Sequence, residues 1–268
     1  MTQFKMPVAF ISDFGPMPAF ETDDYTAALE KLGRELPRPR AIVVMSGHWE
    51  AGKTLLVTSA LRPEIIYDYS GFPEEFYQFR YPCPGDPETA VEVVQLLTAA
   101  GFSAETDPKR GIDHGAWVPL SRVYPKADMP IVQITVPVGE DPRKIMAIGK
   151  ALSPLREKGI LIAGAGTLVH NLRFVRIGSQ KPDGWAEDFD RWIGTRLDKG
   201  SIEEIVDYKR LAPSVNLAVP TPEHLDPLFF VLCASGGEEP THFFRAIRHG
   251  NGSLRIIGFG VRNKTAVG

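Results

Sequence analysis

Short apolar runs alternate with amphipathic segments along most of the chain. The runs are bounded by polar or turn residues and are rich in Val, Ile and Leu, which is typical of buried strands. The predicted strands cover residues 8–12, 41–46, 55–58, 131–136, 160–163 and 254–259. Apolar side chains recur at helical spacing between Tyr25 and Leu36 and between Trp185 and Leu197, and Gly200 terminates the second helix.

This alternation of strands and helices predicts the fold class. We expect an α/β fold with a central, mostly parallel or mixed sheet and helices on both faces. No internal repeat, low-complexity tract or Gly/Ser linker divides the sequence, so residues 1–268 are expected to form a single domain.

The amino-acid composition and the net charge exclude several classes of function. The chain has 268 residues, of which 43% are hydrophobic and 24% charged, as in ordinary globular proteins. Thirty basic against thirty-three acidic side chains give a net charge of −3, so nucleic acid is not an expected partner. The sequence shows no signal peptide or apolar membrane span, and its two cysteines make no disulfide framework. We therefore expect a cytoplasmic protein without membrane contact, and a homo-oligomer is compatible with the sequence.

Ionisable side chains follow several predicted strands. Asp13, His48 and His170 each come shortly after an apolar run. Ligands of open α/β sheets bind beyond the carboxyl ends of the strands, so these residues are expected to share one edge of the sheet. His114 and His224 stand in loop or helix-start contexts. Neutral imidazoles with one carboxylate are typical ligands of a divalent transition metal, although each histidine alone would more often be a hydrogen-bonded structural residue than a ligand.

Other local patterns carry further expectations. Thr221 and Pro222 resemble the N-cap and first residue of a helix that contains His224. His242 and His249 are expected in a charged C-terminal helix that faces solvent. The aromatic segment 67–84 reads as a long loop, which either contacts substrate or shields the core from solvent.

A nucleotide site is disfavoured by context. Residues 47–54 match the phosphate-loop pattern G-x-x-x-x-G-K-[ST], but the segment that follows is predicted to be a strand and not a helix. His, Trp and Glu side chains also fill the loop. The start of a dinucleotide fingerprint at Gly164 lacks its third glycine, and no G-x-S-x-G elbow is present.

Six motifs together resemble the class III extradiol ring-cleavage dioxygenases, most closely the DOPA 4,5-dioxygenase type. They are Ile-Ser-Asp-Phe-Gly-Pro-Met at 11–17, Ser-Gly-His-Trp-Glu at 46–50, Ile-Tyr-Asp-Tyr-Ser-Gly-Phe-Pro at 66–73, Gly-Ile-Asp-His-Gly-Ala-Trp-Val-Pro-Leu at 111–120, Leu-Val-His-Asn-Leu at 168–172 and Pro-Thr-Pro-Glu-His at 220–224.

The resemblance implies an oxygen-dependent enzyme that opens a catechol-type ring beside its two hydroxyls. Carried over by position, the metal ligands are Asp13, His48 and His224, the acid–base residue is His170, and His114 lies on the substrate side. Fe(II) is the implied cofactor, and Zn(II) in the same site would be unproductive because zinc cannot shuttle electrons. Phe72, Tyr77 and Trp49 are the expected substrate-binding residues.

The first ligand position departs from the family pattern. The usual Ser-His-Gly-Ser-Pro is replaced by Ser-Asp-Phe-Gly-Pro at 12–16, which places Asp13 where the family has histidine. Asp13 with two histidines would complete a set suited to non-haem Fe(II). Alternatively, the shorter aspartate would not reach the metal, and the protein would be a changed enzyme or a small-molecule or protein-binding scaffold.

Overall fold

One eight-stranded mixed sheet organises the fold. The computed structural model describes residues 4–261. The strands are β1 (Val8–Ser12), β2 (Ala41–Ala51), β3 (Thr54–Thr58), β4 (Ser103–Asp107), β5 (Ile131–Pro137), β6 (Ile160–Gly166), β7 (Pro240–Arg248) and β8 (Gly252–Phe259). Their order across the sheet is β4-β3-β5-β2-β6-β1-β8-β7. The central strands β5, β2, β6 and β1 run parallel, whereas β3 and β8 flank them in antiparallel orientation.

Helices cover both faces of this sheet. They are α1 (Asp24–Glu35), α2 (Pro87–Ala99), α3 (His114–Val123), α4 (Pro142–Leu152), α5 (Gly184–Lys199), α6 (Ile202–Val206), α7 (Tyr208–Leu211), α8 (Val215–Ala218) and α9 (Asp226–Ala234). Short 3-10 turns cover Met17–Ala19, Glu74–Tyr77, Ser153–Lys158 and Leu172–Phe174.

Alternate residues of each central strand enter different cores. In β1, Val8 and Phe10 pack with α4, α5 and α9 on one face. Ala9 and Ile11 pack with α1 and α3 on the other. This period of two, with both faces apolar, explains why the central strands are continuous hydrophobic runs. The predicted α/β class with helices on both faces is confirmed.

Two local expectations are wrong. His242 lies in strand β7 and His249 follows it in the turn to β8, so neither belongs to a helix. A register shift between His242 and Phe244 interrupts the alternation that would have indicated a strand. The helix after Thr221 begins only at Asp226, with His224 in the preceding turn.

The segment that follows the phosphate-loop pattern is a strand, as predicted. Residues 54–58 form strand β3, so the phosphate-loop pattern does not open into a helix. Within residues 4–261, no helix is long and apolar enough to cross a membrane.

Candidate metal centre and active site

Three parallel strands deliver side chains to one edge of the sheet. Strand β6 pairs with β1 on one side and with β2 on the other, so their carboxyl ends lie together. Asp13 directly follows β1, and its N–H donates to the carbonyl of Gly166 at 3.0 Å. His48 lies near the end of β2, where the pairing with β5 shifts register between Met45 and Glu50. Such irregularities redirect side chains, as this one does for His48.

The turn that carries His224 packs directly on two glycines of the sheet. The N–H of Thr167 donates to the carbonyl oxygen of His224 at 2.8 Å. A Cβ on Gly166 would lie 2.2 Å from that oxygen, and one on Gly47 would lie 3.0 Å from the carbonyl oxygen of Glu223. This close approach therefore requires glycine at both strand positions.

Asp13, His48 and His224 converge on one point. Nε2 of His48 lies 3.2 Å from Nε2 of His224 and 3.5 Å from Oδ2 of Asp13. One ligand atom from each residue lies within 4.8 Å of the other two. Two nitrogens bound to one tetrahedral ion at the usual bond length would be separated by roughly 3.3 Å. The spacing of these donors is thus that of a metal-ligand set.

Asp13 has a buried oxygen that no group of the described chain satisfies. Its side chain is only 2% exposed, and Oδ2 has no hydrogen-bond partner among residues 4–261. Buried carboxylates are normally paired or coordinate a metal. The side chain of Asp13 therefore reaches His48, as a ligand at this position would have to.

In each of the two histidines, a carboxylate lies next to Nδ1, the ring nitrogen that is not part of the donor set. Nδ1 of His48 lies 3.3 Å from Oδ2 of Asp68, and Nδ1 of His224 lies 3.0 Å from Oε1 of Glu223. Metal-binding histidines are commonly oriented by such carboxylates, which accept the Nδ1 proton and leave Nε2 free for the ion. The same contacts occupy Asp68 and Glu223, which disfavours them as direct ligands.

The electrostatics of the cluster favour an ionised carboxylate. Burial raises the pKa of Asp13, but the contact with His48 and the charges of His48, His224 and His114 outweigh it and lower the pKa to about 2. Burial lowers the pKa of His48, yet Asp13 and Asp68 hold it well above the usual value. For His224, burial prevails over Glu223 and lowers the pKa. The carboxylates of Asp13 and Asp68 thus favour positive charge at the position of His48.

His114 and His170 flank the donor set on opposite sides. His114 begins helix α3, which Asp113 caps by accepting from the N–H of Ala116. Oδ1 of Asp68 accepts from both the backbone N–H of His114 (3.0 Å) and its Nδ1 (2.8 Å). His170 stacks on His224 with ring centroids 3.6 Å apart, and its Nδ1 lies 3.7 Å from Glu223.

A cavity of about 360 Å³ opens onto these residues. Its lining combines the ionisable cluster with apolar side chains and comprises Asp13, Phe14, Gly15, Met17, His48, Asp68, Tyr69, Ser70, Phe72, His114, His170, Leu172, Val175, Ile177 and His224. All five predicted ligands and acid–base residues therefore face one cavity large enough for a small ligand.

Of the three predicted substrate-binding residues, only Phe72 lines this cavity. Trp49 is buried elsewhere beneath the guanidinium of Arg110, because successive residues of a strand point to opposite faces. Tyr77 packs on Tyr69 with ring centroids 5.2 Å apart and does not reach the cavity. The structure thus brings Phe72, but not Trp49 or Tyr77, to this cavity.

Sequence reasoning missed Asp68, Glu223 and Gly115 as parts of the site. Glu223 could have been noticed as an acid beside a candidate ligand, but the contacts of Asp68 span distant segments and leave no local pattern. A Cβ on Gly115 would lie 2.5 Å from Oδ2 of Asp13 and 2.6 Å from Cδ2 of His48. Glycine at this position makes room for the cluster.

The fold and the donor set define a class of protein: an α/β protein with a group of possible metal ligands at the carboxyl edge of its sheet. Residues 8–253 match the family model described as the catalytic LigB subunit of aromatic ring-opening dioxygenase. The chain belongs to this family and is an extradiol ring-opening dioxygenase.

Relatives of known name are similar over most of their length. A 4,5-DOPA dioxygenase extradiol of Beta vulgaris is 40% identical over 85% of this chain and 86% of its own. A protein of the same name from Escherichia coli K12 is 38% identical over 90% of this chain and 89% of its own. The crystal structure of the uncharacterized protein JW3007 from Escherichia coli K12 superposes with a TM-score of 0.81 at 35% identity, covering 96% of this chain and 100% of that one.

Proposed function

We propose that this dioxygenase is a non-haem Fe(II) enzyme that opens the ring of a catechol-type substrate beside its two hydroxyls, acting as one catalytic domain. The observation that carries the proposal is the convergence of Asp13 Oδ2 on the Nε2 atoms of His48 and His224. Two histidines and one carboxylate form the facial set expected of non-haem Fe(II) oxygenases.

Asp13, His48 and His224 would hold the ion. The unpaired, buried Oδ2 of Asp13 supports this assignment, as do the carboxylates on Nδ1 of both histidines. Bound Fe(II) would supply a template for the substrate oxygens and O₂ and a path for charge between them, whereas Zn(II) in the same site would not support oxygen chemistry.

His170 is proposed as the acid–base residue. It lines the cavity on the His224 side, and Oε1 of Glu223 lies 3.7 Å from its Nδ1, so Nε2 is the nitrogen proposed to face the substrate. Nε2 would accept a proton from a substrate hydroxyl and return a proton as the oxygen–oxygen bond breaks.

His114 is proposed as a hydrogen-bond donor on the opposite side. Its Nδ1 and backbone N–H are held by Asp68, so Nε2 is the edge left for a ligand. A donor fixed in this way would stabilise negative charge that develops on a substrate oxygen. Phe72 would contribute part of the apolar wall beside the ring.

Oxygen uptake tests this proposal. Protein loaded anaerobically with Fe(II) is mixed with catechol and its substituted derivatives in the presence of O₂. We expect O₂ consumption in step with a yellow ring-opened semialdehyde, and no turnover after loading with Zn(II). Stoichiometric Fe(II) binding without O₂ uptake from any catechol would refute the proposed substrate class.

A further inference from the structure

One wall of the cavity comes from segment 171–178. Leu172, Val175 and Ile177 of this segment line the cavity, yet Leu172 and Ile177 are 68% and 70% exposed. Side chains that bury so little apolar surface contribute little to holding a short segment in one position. Other contacts must therefore fix the place of this wall.

The turn between β7 and β8 supplies such contacts. The backbone N–H of Arg176 donates to the carbonyl of His249 at 2.8 Å. Two residues further along the turn, Nδ2 of Asn251 donates to the carbonyl of Asn171 at 2.9 Å. The turn thus holds both the start and the middle of segment 171–178.

The side chain of His249 adds a third hydrogen bond. The N–H of Gly178 donates to its Nδ1 at 3.0 Å, so the proton of the neutral imidazole lies on Nε2. Burial lowers the pKa of this imidazole, while the charges of Glu21 and Arg248 act in opposite directions. The ring is therefore neutral at pH 7, and Nδ1 is available as an acceptor.

The same ring packs on a second part of the cavity wall. Phe14 stacks on His249 with ring centroids 5.5 Å apart and an angle of 9° between the planes. Phe14 lines the cavity and directly follows Asp13 in the chain. One imidazole therefore contacts both Phe14 and the segment that carries Ile177.

The backbone of His249 lies in the left-handed region, with φ of 53°. Side chains other than glycine adopt this conformation at a cost in free energy, although histidine and asparagine tolerate it better than most. Here the cost falls on a side chain that has two specific partners, Phe14 and Gly178. Such a position indicates a role for the imidazole itself and not only for the turn.

We propose that His249 is a positioning residue of the substrate cavity, whose imidazole sets the places of Phe14 and of segment 171–178 before substrate binds. His249 itself is not among the described residues that line the cavity. A wall ordered in advance reduces the entropic cost of binding, so the effect falls on substrate affinity and not on the chemical step. The kinetic part of the test rests on the proposed function, whereas the hydrogen-exchange part does not.

Hydrogen exchange tests the contact with the segment directly. His249→Gly removes the imidazole at a φ that suits glycine, so we expect the variant to fold. In the Zn(II)-loaded protein, the amide of Gly178 should exchange at least about fivefold faster in His249→Gly than in the unmodified chain, measured by mass spectrometry on a peptide spanning 174–180. His249→Asn offers an amide oxygen as acceptor and tolerates positive φ, so it should restore most of the protection.

Steady-state kinetics test the consequence for the substrate. With Fe(II)-loaded enzyme and catechol, His249→Gly should raise KM by about five- to tenfold, because one hydrogen bond and one ring contact are lost. The values of kcat and of bound iron should stay within about twofold, since the donor set is untouched. His249→Asn should raise KM by no more than about threefold.

Ser214→Gly is the matched control. Ser214 has the same φ of 53°, makes no side-chain cap hydrogen bond at the start of α8 and does not line the cavity. This variant makes the same backbone replacement without loss of a wall contact. It should leave both KM and the exchange of the 174–180 peptide unchanged.

The outcomes separate this inference from the proposed function. Unchanged exchange in His249→Gly, or faster exchange with unchanged KM, would overturn the positioning role. Loss of kcat or of iron in both His249 variants would also overturn it, because His249 would then act on the metal centre. Absence of turnover by the unmodified enzyme with every catechol would instead count against the proposed function, and hydrogen exchange would still decide whether His249 holds the segment.

Discussion

The two halves of the cavity are built differently. The metal-facing half comes from strand ends and the turns packed on them, where backbone hydrogen bonds and glycine contacts fix Asp13, His48 and His224. The opposite half comes largely from the loops at 67–81 and 171–178. In the first loop, Tyr69 packs with Phe72 and Tyr77, whereas Leu172 and Ile177 of the second are 68% and 70% exposed. In the metal-facing half, the backbone fixes the positions of the side chains as closely as the ligands of one metal ion require. The loop half offers a surface on which a variable substituent of a substrate would lie.

The largest effect is expected at the metal-facing half, on the acid–base residue. His170→Ala should lower kcat by about 10²- to 10⁴-fold, because a positioned proton-transfer group is lost. Metal content should stay at the unmodified level, since His170 lies beside the donor set and is not part of it. The control is His242→Ala, whose ring bonds to Asp198 outside the cavity. Unchanged turnover in His170→Ala would remove its acid–base role.

A second prediction concerns the close packing around Gly115 in the metal-facing half of the cavity. Gly115→Ala would place a Cβ within 2.5 to 2.7 Å of atoms of Asp13, His48 and Ser46. We expect activity to fall by about 100-fold through displacement of the donor set. Gly184→Ala is the control, because a Cβ there, also in a helix, meets nothing within 4 Å. Full activity of Gly115→Ala in the oxygen-uptake assay would show that the cluster tolerates displacement.

Asp68 joins the two halves, because it comes from the loop segment and contacts His48 and His114. Asp68→Asn should reduce metal affinity or kcat by about 10- to 100-fold, as expected when the partner of a ligating histidine is weakened. Asp128→Asn, which removes only an exposed ion pair with Arg38, should change either quantity less than twofold. If both variants behave alike in metal titration and steady-state assays, Asp68 has no positioning role.

The smallest effect is expected in the loop half. Phe72→Ala should raise KM by about three- to tenfold through lost apolar contact, with kcat nearly unchanged. Tyr77→Phe should leave KM within about twofold, because Tyr77 packs on Tyr69 outside the cavity. The reverse order of effects on KM would place Tyr77, and not Phe72, against the substrate.

The same division explains what the sequence could predict. The central strands follow from apolar runs, and Asp13, His48 and His170 follow from the rule that ligands bind at carboxyl strand ends. His114 and His224 gained their expected roles from the resemblance to the family. The outer strands gave weaker patterns, since β4 is largely exposed and the register shift in β7 obscures its alternation. The direction of the Trp49 side chain depends on the alternating faces of its strand. That of Tyr77 depends on contacts within its loop. The residue type alone reveals neither direction.

Position 13 carries aspartate where the family has histidine, and the structure shows where this side chain lies. The sequence alone leaves open whether an aspartate reaches the ion that a histidine would bind. In the structure, the backbone of β1 and its hydrogen bond to Gly166 bring Oδ2 of Asp13 to 3.5 Å from His48 Nε2. Its low pKa keeps the carboxylate ionised at neutral pH, which a ligand requires.

The most direct test of the account is the metal content of three proteins: the unmodified chain, Asp13→Ala and the isosteric Asp13→Asn. Each is loaded with Fe(II) without oxygen, dialysed and analysed for bound iron, with circular dichroism as the check of folding. We predict full occupancy for the unmodified chain, strongly reduced occupancy for Asp13→Ala, and at least about tenfold weaker binding for Asp13→Asn. Folded Asp13→Ala protein that retains all of its iron would contradict the assignment of Asp13 as a ligand.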